Sequence, residues 1–225
     1  MSLSRVVLEA LRAHADPARA PKMQSYMKSS MPYLGVAAKP LEAVLKPIFA
    51  AAELLSATAW RDAVLEMWRT AEYREQRYAA MQLTGLRKYR AYQDLDALPM
   101  YRELIETGAW WDYVDVIASH RIGGILVSHE KPMQKTMLAW SRLDDHWLRR
   151  ASIVCQLRRK AETDLELLYA CIEPSIAEKD FFLRKAIGWA LREYAKTDAA
   201  EVKRYVRGNE DRLSGLSKRE ALKNV

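Results

Sequence analysis

Two residues one helical turn apart carry the most pointed chemistry in this chain. Trp111 and Asp115 stand in the run Trp110-Trp111-Asp112-Tyr113-Val114-Asp115. At helical spacing, i and i+4 share one face, so an indole plane and a carboxylate lie side by side. An aromatic face and an anion together stabilise a positive charge, whether on a ligand or developing in a transition state. The surrounding chain must therefore supply a rigid helical frame and a reason to hold something that turns cationic.

The frame is visible as a repeat. Arg77-Tyr78-Ala79-Ala80, Tyr113-Val114-Asp115-Val116, Arg149-Arg150-Ala151-Ser152 and Arg184-Lys185-Ala186-Ile187 align on positions 79, 115, 151 and 186, separated by 36, 36 and 35 residues. A period of this length with two helices per unit predicts an α-α superhelix, a solenoid of HEAT-like helical repeats in which stacking buries the apolar faces. Paired helices are expected at 59–71 with 75–90, 131–141 with 145–160, and 163–173 with 180–195. Pro40, Pro47, Pro99, Pro132 and Pro174 are expected to lie mostly near helix starts or junctions. Composition agrees: glycine and proline number only eight each among 225 residues, and half of the chain is hydrophobic, so an all-α globular fold is expected. Residues 1–225 are expected to form a single domain.

In this register Asp115 occupies a position that the other three units give to alanine. A carboxylate at a close-packing position is costly unless it is paired or used. The structural alternative is a salt bridge to Arg149 or Arg150 of the next unit, or a helix cap. Trp60, Trp68, Trp140 and Trp147 sit at helical spacing among apolar residues and read as core.

The charge balance narrows the partner. Lys and Arg outnumber Asp and Glu by 36 to 29, giving a net charge of +7. An excess of this kind favours a polyanion. Arg149-Arg150, Arg184-Lys185 and Lys218-Arg219 recur near the starts of the later second helices, where basic side chains and helix dipoles would together face phosphates from a concave basic surface. Arg158-Arg159-Lys160 reads instead as a solvated face or a helix C-terminus. The two cysteines, Cys155 and Cys171, suit reduced thiols in a cytoplasmic protein. The four histidines have no metal-ligand spacing, and no phosphate-binding or dinucleotide loop is present, so no metal or cofactor is expected. Met1 to Arg12 forms a charged amphipathic segment rather than a signal peptide, and no run is long enough to span a membrane.

The blocks Tyr26-Met27 with Met31-Pro32-Tyr33-Leu34-Gly35-Val36, Trp110 to Asp115, Trp147-Leu148-Arg149-Arg150-Ala151, Lys185 to Lys196 and Leu216-Ser217-Lys218-Arg219-Glu220-Ala221 occur in one order over nearly the whole chain. In these blocks the sequence resembles the AlkD-type DNA alkylation repair family, the HEAT-like-repeat alkylpurine DNA glycosylases. The resemblance implies that Asp115 is the catalytic carboxylate, with Trp111 and Trp189 as aromatic walls. It further implies that Arg150 contacts backbone phosphate near the lesion, as does Arg192, and that Tyr26 helps to bind DNA. Lys185 and Lys218 join them as DNA-binding candidates from the basic pairs. Ala37-Ala38-Lys39 departs from the polar residues expected there, and no contact is carried over to it. The implied partner is double-stranded DNA containing alkylated bases, engaged by a monomer that hydrolyses the N-glycosidic bond of N3- or N7-alkylated purines without base flipping. The chemistry stands without the family. Glycosidic cleavage builds positive charge on the deoxyribose, and a base that is already cationic leaves without a general acid. Two competing readings remain at this point: a non-catalytic repeat protein binding bent or branched DNA, and a protein-interaction solenoid.

Overall fold

The computed structural model describes all 225 residues, and every regular element is helical. Fourteen α-helices follow in order: α1 Leu3–Ala13, α2 Ala20–Met27, α3 Ala38–Ala51, α4 Ala57–Arg69, α5 Arg74–Thr84, α6 Leu98–Gly108, α7 Trp111–Val116, α8 Gly123–Ser128, α9 Glu130–Trp140, α10 His146–Val154, α11 Leu165–Ile172, α12 Phe181–Ala195, α13 Ala199–Gly208 and α14 Gly215–Ala221. No helix is long and apolar enough to cross a membrane. Contacts divide the chain into two compact units, Met1–Tyr92 and Gln93–Val225.

In the second unit the helices stack as two rows. Helices α6, α9, α11 and α13 are the first members of successive pairs, and α7, α10, α12 and α14 the second members. Within the second row α10 packs on α7 and on α12, and α12 packs on α14. This is the α-α stacking that the repeat predicts. Its cause is visible in the reference positions: Ala79, Ala151 and Ala186 are all fully buried. A methyl side chain there lets second helices approach closely. Gly188 serves the same end, since a Cβ on it would lie 2.4 Å from Glu220 Cβ on α14.

Capping explains where the second helices begin. Asp145 accepts from Leu148 N and starts α10, and Asp180 accepts from Leu183 N and starts α12. Each lies six residues before its reference alanine. The same offset before Asp115 falls on Ala109, which is left-handed at φ 42° and ends α6. That unit has no aspartate at the cap and carries one six residues further on, inside the helix. Directly after α7 the helix rewinds as a π turn, Ile117–Ile122, before resuming as α8.

Three expectations need correction. The helix expected over 75–90 ends at Thr84, where Gly85 closes it before a 3₁₀ segment Arg87–Tyr92. The helix expected over 145–160 ends at Val154, and Lys160 is left-handed at φ 51°. Pro47 lies inside α3 rather than at a junction. A ring in a helix interior costs about 3 kcal/mol, and the buried stripe Leu41, Leu45 and Phe49 holds the helix together through it.

In the first unit α1 packs on α3, α4 and α5. The Leu34-Gly35-Val36 block has a structural purpose. The fully buried Glu75 carboxylate of α5 accepts from the amides of Leu34, Gly35 and Val36 at 3.0, 2.9 and 3.1 Å. The loop curls around the anion because Gly35 adopts φ 91°, where a Cβ would strike Asp16 O at 2.1 Å. Glu75→Ala leaves three amides without their acceptor and is expected to destabilise the fold by about 3 kcal/mol or more. Glu75→Gln, which keeps an acceptor oxygen, is expected to cost clearly less. Urea unfolding of both variants checks the order; equal loss would mean that the amides find other partners.

Candidate functional site

The second-row helices bring Asp115 to Arg150. Nε and one terminal nitrogen of the guanidinium donate to the two carboxylate oxygens at 2.7 and 2.8 Å. The other terminal nitrogen donates to Phe182 O at the start of α12. One side chain on α10 thus ties α7 to α12, and it is only 5% exposed. The Asp115 side chain keeps 13% exposure. Of the two salt-bridge partners considered from sequence, Arg150 is the one used. Arg149 bonds instead to Ser175 Oγ, Pro174 O and Glu178.

The electrostatics of Asp115 oppose one another. Burial raises its pKa above the ordinary aspartate value, Arg150 pulls it down by hydrogen bonding and by charge, and Asp112 pushes it up. The net direction is upward, and burial leads. Each carboxylate oxygen has lone-pair capacity beyond its bond to Arg150. The pair therefore orients the carboxylate without exhausting its acceptors.

The aromatics fall into two groups. Trp110, Trp147 and Phe182 pack mutually, with centroids 6.1, 5.4 and 4.9 Å apart. They sit at the starts of α7, α10 and α12 and wedge those helix ends together beside the ion pair. Trp60, Trp68, Trp140 and Trp147 are buried as expected. Trp111 is 37% exposed, one turn from Asp115. Trp189 is half-buried on α12, two turns from Phe182. Neither Trp111 nor Trp189 makes a ring contact with another aromatic. No hydrogen bond or ring contact joins Trp189 directly to Asp115.

The DNA-binding candidates have acidic company. Lys185 and Arg192, both on α12, converge on Glu220 of α14, with Lys185 Nζ 2.9 Å from its carboxylate. Their proximity lowers the Glu220 pKa. Lys218 bonds to Glu210 at 2.5 Å and to its carbonyl at 3.0 Å. Arg184, the first member of its basic pair, donates to Glu178 O. Arg149 and Arg184 thus fasten the turn before α12, which corrects the expectation that whole basic pairs face outward. Tyr26 is 79% exposed on α2. Missed from sequence were Glu220, Glu210, Glu178 and the Phe182 carbonyl. Glu220 stood in a quoted block and shares α14 with Lys218, a usable signal; a backbone carbonyl leaves none.

A family model for the DNA alkylation repair enzymes matches residues 7–225. Comparison with curated proteins gives no match. A solved structure described as a predicted DNA alkylation repair enzyme from Enterococcus faecalis is 27% identical, with a TM-score of 0.84; the match covers 94% of this chain and 96% of that one.

Breaking the central pair from either side is expected to be costly. Asp115→Ala strands a buried guanidinium and Arg150→Ala a partly buried carboxylate, each losing about 3–5 kcal/mol. The double variant is expected to lose clearly less than the sum, because neither charge is then left alone. Additive losses in a denaturant double-mutant cycle would mean that the two groups do not act as a pair.

Proposed function

Because the chain belongs to the DNA alkylation repair enzyme family, we propose that it is a monofunctional DNA glycosylase that hydrolyses the N-glycosidic bond of cationic N3- and N7-alkylated purines in duplex DNA, without drawing the damaged base into a protein pocket. The observation that supports this reading best is the largely buried carboxylate of Asp115, with 13% of its side chain exposed, oriented by Arg150 one turn from an indole with no aromatic partner.

As the C1′–N bond breaks, the bonding electrons leave with the purine and neutralise its charge. Positive charge grows on the deoxyribose. Asp115 stabilises it at short range, and Trp111 and Trp189 add cation–π attraction of roughly 0.5–2 kcal/mol each. Water then adds at C1′ and loses its proton to Asp115 or to solvent. Arg150 keeps the carboxylate ionised and fixed in direction; a phosphate contact would use the guanidinium N–H groups not already engaged. Lys185, Arg192, Lys218 and Tyr26 serve as contacts to the DNA strand. For the three cations this means trading a carboxylate partner for a phosphate. The family match runs through both compact units, which supports treating residues 1–225 as one functional domain.

The intimate Asp115–Arg150 pair also favours one rival: a DNA-binding repeat protein in which the carboxylate is purely structural. Single-turnover release of 7-methylguanine from a defined duplex decides between them. Asp115→Asn keeps an acceptor toward Arg150 but loses the charge, so excision is expected to slow about 10²–10³-fold with a much smaller change in DNA affinity. Unchanged excision would leave the rival standing. Since Asp115 must be ionised and burial lifts its pKa, the wild-type rate is expected to fall on acidification at a pH above the ordinary aspartate value. An acid limb that persists unchanged in Asp115→Asn would assign it to another group.

Leaving-group chemistry supplies an independent check. Cationic 7-methylguanine and 3-methyladenine are expected to be released, and neutral hypoxanthine to be a poor substrate, because its departure needs a proton donor. Rapid hypoxanthine release would reveal an acid outside this mechanism.

A further inference from the structure

A second concavity lies in the same unit as Asp115 and shares none of the residues assigned above. It is a cleft of about 430 Å³ formed by the π turn, α8 and the segment that follows α10. Its volume is in the range of sites that hold a small molecule. Gly124 makes room for it: a Cβ there would meet nothing within 4 Å.

The charges in this cleft are poorly matched to each other. Arg158 is exposed and has no carboxylate partner; its polar neighbour is His120 Nε2 at 3.5 Å. His120 is itself lowered in pKa by burial and then by Arg158 and Arg121. Arg159 donates Nε to Glu162 O at 2.8 Å, and the carboxylate it pairs with is Glu130 at 3.9 Å. The Glu162 carboxylate, also in the lining, makes no ion pair. Two guanidiniums facing one cavity suit a phosphate, which they bind in bidentate fashion. A free carboxylate suits the amino and imino N–H groups of a nucleobase edge.

The cleft begins one helical turn after Asp115. Ser119, which lines it, donates its hydroxyl to Asp115 O at 2.6 Å. π turns recur at functional sites, and this one separates the carboxylate from the cleft floor.

We propose that this cleft binds one nucleotide unit, with its phosphate held by Arg158 and Arg159 and its base edge by Glu162. The nucleotide has two possible sources, a free mononucleotide or a residue of a DNA strand, and the chemistry of recognition is shared.

Calorimetric titration of the full chain with 2′-deoxyguanosine 5′-monophosphate, inorganic phosphate and a short undamaged duplex tests the proposal. The variants are Arg158→Ala, Glu162→Gln and Gly124→Leu, with thermal melts as the folding control. Leucine at 124 fills the open space and has a better helix propensity than glycine. If the source is free nucleotide, the monophosphate binds the wild type, and each variant weakens it at least about tenfold; Glu162→Gln leaves inorganic phosphate unaffected. If the source is a strand, the monophosphate does not bind, and Arg158→Ala and Gly124→Leu each weaken the duplex about tenfold. The proposal is overturned if the monophosphate binds equally well to all four proteins. It is overturned equally if the monophosphate fails to bind and Gly124→Leu leaves duplex affinity unchanged. None of these readouts involves base release, so loss of the glycosylase reading would leave this result intact, and the reverse also holds.

Discussion

A single guanidinium sets the geometry on which the rest of the second unit depends. Arg150 reaches from α10 to the carboxylate of Asp115 on α7 and to the carbonyl of Phe182 at the head of α12. Three successive second helices are thereby held at one level. The aromatic wedge of Trp110, Trp147 and Phe182 closes the same level from beside it. A charge this well buried is tolerable only because its donors are satisfied with good geometry. In return, the aspartate gains a fixed direction, as a catalytic group needs. The interaction that permits a carboxylate in a packing position is also the one that fixes its direction.

The period of the repeat and the odd residue within it were legible from sequence because both are properties of spacing. Alanine at 79, 151 and 186 announces close packing, and an aspartate breaking that series announces a partner. What could not be read was the identity of the partners. Whether Arg149 or Arg150 takes Asp115 depends on about 100° of rotation around one helix, finer than periodicity resolves. The phosphate role attached to Arg150 came from resemblance alone, and the structure puts most of that side chain to work internally. The helices end at Thr84 and Val154 although apolar spacing continues through both breaks; Gly85 marks the first through backbone geometry, and after the second the chain runs on as turns. The rewinding at Ile117–Ile122 has no compositional signature at all.

Net charge proved a blunt guide to surface chemistry. Of the side chains nominated for phosphate, Lys185, Arg192 and Lys218 already sit on Glu220 or Glu210. The Glu220 pairs are partly buried, the Glu220 side chain being 16% exposed, so they fix where the cationic heads lie. Glu220 gathers two of these cations at one point on α14. A count of lysines and arginines sees none of this.

The π turn after α7 has a consequence for which changes of length this chain can survive. In a continuous α-helix, eight residues at about 100° each would leave Gly123 roughly 80° out of phase with Asp115. Yet both face the neighbouring helix: Asp115 binds Arg150 on α10, and Gly123 presses close to the carbonyl of Cys155 just beyond it. The wider winding of the turn absorbs much of that phase error. A π turn is geometrically what a one-residue insertion leaves in an α-helix. Deleting one residue between 117 and 122 would leave that glycine seven residues from Asp115, about 20° short of two full turns in regular winding, so α8 would keep its seat against Cys155. The segment that looks like an irregularity thus holds one residue more than regular winding needs, so a single deletion there would be absorbed while a further insertion would turn α8 by about 100°.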